Sequence, residues 1–177
     1  MAERVVLDAS VAIAHLRDEV GTPATRAAVA AWTNSRAELV VPAHFWIEIA
    51  NVLVGRRRLD PAEMVAHLVD LDDMGLRTVE PDRPLLLLAI DQMVRHGLSA
   101  YDAMYLALAL STESKLATLD RRLAEAAGSA GMLIGSTGVS EAQAEYQAPS
   151  EDYSGWSRTA IVGRHIAELR RQALAEA

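Results

Sequence analysis

The chain predicts an α/β fold on a central, mainly parallel sheet, and three observations carry that reading. Short β-rich runs alternate with longer segments of helical periodicity. The strands are separated by helix-length connections, which is what parallel pairing through crossovers requires. The length, 177 residues of which 51% are hydrophobic, suits one domain with a sizeable core and is short of two.

The elements follow in order. Strands are expected at about 4–8, 38–41, 77–79, 116–119 and 132–134, where apolar and β-branched residues cluster. Helical patterns fit 10–17, 23–34, 43–55, 61–74, 84–96, 100–113 and 121–127. Asp60-Pro61 and Pro84 serve as start signals, and Gly75, Gly97 and Gly128 as stops. In such a sheet ligands gather beyond the carboxyl ends of the strands, where helix N-termini also point.

After about residue 135 the character changes. Gly135-Ser136-Thr137-Gly138 reads as a joint and 139–155 as a polar stretch. Arg158 to Ala175 is again helical, with Val162, Ile166, Leu169 and Ala173 on one apolar stripe and Trp156 just before it. The expected organisation is a domain over 1–135 and a C-terminal extension, linker plus amphipathic helix, over 136–177. A stripe of this kind needs a surface to pack on.

Composition narrows the chemistry. With no cysteine, thiol nucleophiles, disulfides and cysteine-ligated zinc are excluded, and any metal must be held by oxygen or histidine. The start, Met1-Ala2-Glu3-Arg4, lacks the pattern of a secretory signal, and no run reaches membrane-spanning length, so a soluble, unprocessed cytoplasmic protein is expected. A net charge of -7 and a pI near 5.2 argue against a general nucleic-acid coat. Local basic groups remain: Arg56-Arg57-Arg58, and Lys115 with Arg121-Arg122 around position 120. Each also fits an ordinary solvated helix end.

Four acids sit beside core-forming segments, where a carboxylate is costly unless paired, hydrogen-bonded or bound to a cation. Asp8 ends Val5-Val6-Leu7, Glu48 interrupts Phe45-Trp46-Ile47, Asp102 opens the apolar run Ala103 to Leu110, and Asp120 closes Leu116-Ala117-Thr118-Leu119. Three have simple structural explanations. Asp8 before Ala9-Ser10 and Asp120 before Arg121-Arg122-Leu123 are N-caps, and Ser99 with Asp102 has capping-box spacing. Glu48 discriminates better, since capping does not explain an acid in mid-helix; His44 and Asn51 share its narrow polar stripe, His44 as a polar neighbour.

Taken together, Val5-Val6-Leu7-Asp8-Ala9-Ser10, Ile47-Glu48-Ile49-Ala50-Asn51, Tyr101-Asp102-Ala103-Met104-Tyr105-Leu106-Ala107 and Leu116-Ala117-Thr118-Leu119-Asp120-Arg121 resemble the PIN-domain ribonucleases, and more narrowly the VapC-type toxins of bacterial toxin–antitoxin pairs. The resemblance spans about residues 4–135 and says little about the extension. It implies a three-layer α/β/α sandwich in which Asp8, Glu48, Asp102 and Asp120 form an acidic pocket with Ser10 and Thr118 as supporting hydroxyls. Asp8 and Asp102 are the expected direct ligands of Mg²⁺, with Mn²⁺ an alternative; Glu48 and Asp120 act through water or on a second ion.

The implied reaction is hydrolysis of an RNA phosphodiester to a 5′-phosphate and a 3′-hydroxyl, with Arg56, Arg57, Arg58, Lys115, Arg121 and Arg122 as candidates to hold the RNA backbone. The implied partners are the RNA substrate, a cognate antitoxin and a second copy in a homodimer. Two other functions compete. A haloacid dehalogenase-type phosphohydrolase also begins with an aspartate after its first strand, but it repeats an acid two positions later, where this chain has Ser10. A non-catalytic RNA-binding protein of the same fold would be favoured if any of the four acids were missing, and all are present.

Overall fold

Val5, Val6 and Leu7 have no exposed surface, and neither do Val40 and Val41. Consecutive residues of a strand point to opposite faces, so a run buried throughout belongs to a strand covered on both sides, the signature of an interior parallel strand. The computed structural model describes residues 3–16, 22–57 and 61–131, apart from the side chains of residues 22, 55–57 and 61. In it β1 (Arg4–Leu7), β2 (Glu38–Pro42), β3 (Arg77–Val79) and β4 (Lys115–Ala117) form a four-stranded sheet of order β3-β2-β1-β4, with every pairing parallel. β1 is central, with Val6 opposite Val40 on one side and Leu116 on the other.

The chain builds outward from β1 to β2 to β3 and then returns to place β4 on the other flank of β1. In sheets of this kind such a reversal is where a ligand crevice forms, here beyond the carboxyl ends of β1 and β4. Among the described residues seven helices surround the sheet: α1 (Ala9–Leu16), α2 (Thr22–Asn34), α3 (Phe45–Arg57), α4 (Pro61–Asp72), α5 (Arg83–His96), α6 (Ala100–Ser111) and α7 (Arg121–Ser129). α6 lies against β1, β2 and β4 with α5 and α7 beside it, while α1 packs with α2, α3 and α4, giving a three-layer α/β/α sandwich. Ala103 through Ala109 of α6 are all buried, as a helix apolar on every side must be.

The punctuation acts where the sequence places it. Asp82 caps α5 through Leu85 N at 2.8 Å, Pro84 occupies its first turn, and Gly97 closes it in the left-handed conformation at φ 63°. Gly75 takes the same conformation after α4. α7 continues through the expected stop at Gly128 to Ser129, and the left-handed turn residue is Gly131. β4 ends at Ala117 instead of 119. Beyond Leu7 the Asp8 amide still bonds Ala117, but the Asp8 carbonyl accepts from α1 and the Leu119 amide donates to the Ser10 hydroxyl at 3.0 Å instead of to a strand. The expected strand at 132–134, Arg58, and the whole extension with Trp156, Val162, Ile166, Leu169 and Ala173 lie outside the described residues.

The amino ends of the strands carry a separate polar feature. Glu38 of β2 bonds Arg4 of β1 at 2.6 Å and Arg77 of β3 at 2.7 Å, tying three neighbouring strands together. These groups are half exposed, so the ladder adds little stability, but it puts charge on the edge strand β3. No helix among the described residues is long and apolar enough to cross a membrane.

Candidate active site

Asp8 is the first residue beyond β1. Its amide donates to Ala117 of β4 at 3.0 Å and its carbonyl accepts from Val11 of α1 at 3.1 Å, so its position is fixed from both sides. The carboxylate does not serve α1 as a cap: Oδ2 accepts from the hydroxyls of Ser10 and Thr118, the latter at 2.7 Å. Each hydroxyl also accepts an amide, Leu119 N on Ser10 and Asp120 N on Thr118, both at 3.0 Å. The turn after β4 is thereby latched to the turn after β1. Both hydroxyls reach Oδ2, which leaves Oδ1 as the oxygen available to a ligand.

Glu48 lies in the first turn of α3 and not in mid-helix as expected, a place where the helix dipole favours an acid, and Tyr105 of α6 donates its phenolic proton to Glu48 Oε2. His44, one helical turn before Glu48, has its Nε2 3.8 Å from the same oxygen. The distance suggests an ion pair, but burial lowers the imidazole to about 4, so near pH 7 it is neutral and no ion pair exists. Its ring is wedged between Tyr105, at 4.9 Å between centroids, and Tyr101, at 5.4 Å. Nε2 is buried without a hydrogen-bond partner. The remaining member of the predicted stripe, Asn51, is exposed.

Asp102 and Asp120 realise their capping spacings. Ser99 caps α6, accepting from Asp102 N at 3.1 Å and donating to Asp102 Oδ2 at 2.7 Å. Asp120 Oδ1 accepts from Leu123 N at 2.8 Å and caps α7. These roles do not exclude others, because each carboxylate has a second oxygen.

The structure brings the four acids into one electrostatic group. Burial pushes the Asp8 carboxyl up to about 6 against the lowering effect of Ser10 and Thr118, and the charges of Asp102 and Asp120 add to the rise. Burial likewise pushes Glu48 up to about 7, opposed by the Tyr105 bond and reinforced by Asp8 and Asp102. Asp102 is raised by burial and by Asp120, while Ser99 and Arg122 act the other way. Burial and the charges of Asp8 and Glu48 raise the Tyr105 phenol, which therefore stays a donor. Asp8 is buried, Glu48 and Asp102 are half buried, and Asp120 is exposed, so the group opens to solvent on the Asp120 side.

The basic candidates divide. Arg122 is near enough to act on Asp102, and its guanidinium approaches the Gly97 carbonyl at 3.5 Å. Arg121 is exposed and 3.7 Å from Glu125. Lys115 opens β4, roughly 10 Å along the strand from Thr118, and bonds the Gly131 carbonyl at 2.8 Å; it is not brought to the acids. Arg56 and Arg57 fall in the last turn of α3, and their side chains, like Arg58, lie outside the description.

The donor set fits a hard divalent cation: carboxylate and hydroxyl oxygens, the most buried of them held above its ordinary pKa by burial and by its acidic neighbours. Among the described residues no three His, Asp or Glu side chains form a ready-made cage, and Mg²⁺, which keeps several waters, requires only one or two direct carboxylates. The sequence did not single out Tyr105. A tyrosine in an apolar helix reads as core, which its ring is; the available signal was its position three residues after Asp102, on the same helical face.

Comparison with known proteins agrees with this architecture. The PIN domain family model matches residues 5–129. Among solved structures, PAE2754 from Pyrobaculum aerophilum is 26% identical with a TM-score of 0.55, covering 71% of this chain and 81% of that one. The sarcin–ricin-loop-cleaving toxin VapC20 of Mycobacterium tuberculosis is 18% identical with a TM-score of 0.57, covering 73% and 96%. VapBC2 from Rickettsia felis, solved with a fragment of promoter DNA, is 8% identical with a TM-score of 0.53, covering 66% and 88%. No curated protein matches the chain.

Proposed function

Since the chain belongs to the PIN domain family, we propose that it is a metal-dependent endoribonuclease, the toxin of a type II toxin–antitoxin pair. The observation that carries the reading is the electrostatic coupling of the acids at a switch of strand order: Asp102 and Asp120 raise Asp8, Asp8 and Asp102 raise Glu48, and Asp120 raises Asp102. Such a group is best stabilised by a cation. The similarity in fold to a toxin that cleaves the sarcin–ricin loop and to a VapBC pair supports the choice of substrate class and partner.

In this reading Asp8 and Asp102 hold Mg²⁺ or Mn²⁺, with Glu48 and Asp120 acting through water or on a second ion. When bound, the cation makes water a better nucleophile and offsets charge developing on the phosphoryl oxygens. The protein's own groups set the geometry. Ser10 and Thr118 fix Asp8 Oδ2 and leave Oδ1 for the cation. Tyr105 fixes Glu48 Oε2, which leaves Oε1 to take a proton from the attacking water, a task suited to a carboxyl held near neutrality. Arg122 and Arg121, Arg56 and Arg57 at the end of α3, and Arg58 next in sequence are the candidates for the RNA backbone, and the products are a 5′-phosphate and a 3′-hydroxyl. An antitoxin and a second copy of the chain complete the proposed assembly.

The test is cleavage of RNA by the purified chain freed of partners. Activity should be lost in EDTA, restored by Mg²⁺ or Mn²⁺, and absent from Asp8→Asn and Asp102→Asn. Cleavage that survives chelation, or persists in those variants, overturns the reading.

A further inference from the structure

Tyr101 and Tyr105 lie one turn apart on α6, yet they meet opposite environments: Tyr105 has no exposed surface and Tyr101 is 58% exposed. His44 stands between them, in ring contact with both. The three rings run from the core to solvent beside the acids, since Tyr105 bonds Glu48, His44 Nε2 is 3.8 Å from Glu48, and Tyr101 immediately precedes Asp102.

The ring of Tyr101 meets the fold at His44 and is otherwise turned to solvent. Ser99 supplies the cap of α6, and Tyr101 contributes nothing to the buried core. Its place does have a chemical logic. The four carboxylates repel an entering phosphate, and the single Arg122 beside Asp102 offsets that only in part. An aromatic face holds nucleic acid without charge by stacking on a base. His44, neutral near pH 7, braces the ring from one side and reduces the freedom lost when a base is seated.

The geometry points to Tyr101, braced by His44, as a stacking platform for one unpaired nucleobase next to the phosphate held at the acids. This deepens the ribonuclease reading and rests on it. A base in a regular duplex has no free face, so the platform selects single-stranded or looped RNA.

Binding to a labelled, unstructured RNA oligonucleotide tests the platform, using the full chain with Asp8→Asn, in Mg²⁺, so that the probe is not cut. Tyr101→Ala should weaken binding roughly ten- to hundredfold, with unfolding temperature unchanged, and Tyr101→Phe should bind as the parent does. One abasic nucleotide, walked along the probe, should reproduce the loss at one position in the parent and cost nothing further in Tyr101→Ala. Equal affinity of Tyr101→Ala and the parent overturns the platform. A loss that leaves the abasic effect intact overturns it as well. Failure of the ribonuclease reading shows separately, as absence of metal-dependent cleavage by the chain with Asp8 intact.

Discussion

The phenol of Tyr105 donates to Glu48 Oε2 across 57 positions of sequence, from a residue with no exposed surface to one at the edge of the crevice. The bond lowers the Glu48 pKa against the pull of burial. Tyr105→Phe, which keeps the ring and removes the donor, should therefore raise Glu48 further above about 7 in the metal-free protein. The loss of the bond should cost about 1–2 kcal/mol of stability. Carboxyl-detected NMR titration reads the first effect and denaturant unfolding the second. A Glu48 that titrates at or below its parent value would show that the bond does not hold the carboxylate.

Metal-free stability should fall as pH rises. Asp8 and Glu48 titrate at about 6 and about 7 in the folded chain, above ordinary values of 3.8 and 4.5. Between about pH 4 and 7 the folded state holds protons that the unfolded state has released, so ∂ΔG/∂pH is negative there. The contribution is complete below the ordinary carboxylate range and is lost as pH passes through the two folded-state values. For Asp8 alone the change corresponds to about 3 kcal/mol. Unfolding across pH 5–8 in EDTA should show the decline and saturating Mg²⁺ should reverse it; metal-free stability that climbs over this range contradicts the proposed coupling.

The two roles of Asp120 can be separated. Asp120→Asn keeps an acceptor for Leu123 N and removes the charge, so it should leave α7 capped and stability nearly unchanged while cutting cleavage. Asp120→Ala loses both, and should unfold about 1 kcal/mol more easily. Equal stability of the two variants would mean that the cap contributes nothing.

Arg122, which acts on Asp102, and Lys115, engaged by Gly131, give a matched pair for RNA binding. Arg122→Gln should weaken binding across sequences and reduce the slope of log affinity against log salt by roughly one. Lys115→Gln should leave the slope alone. Substituting Arg56, Arg57 and Arg58 together by Gln should reduce the slope further if the end of α3 contacts the backbone; no change would mark them as solvated helix-end residues.

The fold was legible because its signals are local. Pro84, Asp82 and Gly97 punctuate α5, and the unbroken apolar runs of β1, β2 and α6 could only be interior elements. The four acids stood out because each conflicts with its apolar surroundings. What could not be read were long-range bonds made by residues that agree with theirs. Tyr105 matches an apolar helix, and its hydroxyl acquires meaning only when α3 is placed opposite. The end of β4 was misjudged for a related reason: Thr118 and Leu119 have strand character, but whether a strand continues depends on the length of its neighbour, and β1 stops at Leu7.

The latch between the two turns has a consequence for timing. Thr118 and the segment that seats Asp120 are made 110 residues after Asp8. Until β4 docks on β1, Asp8 lacks one of its two hydroxyl donors and the crevice lacks a wall. A piece of this domain that stops short of β4 therefore lacks the arrangement of acids described above. The site thus needs segments from both ends of the domain, and neither end carries it alone.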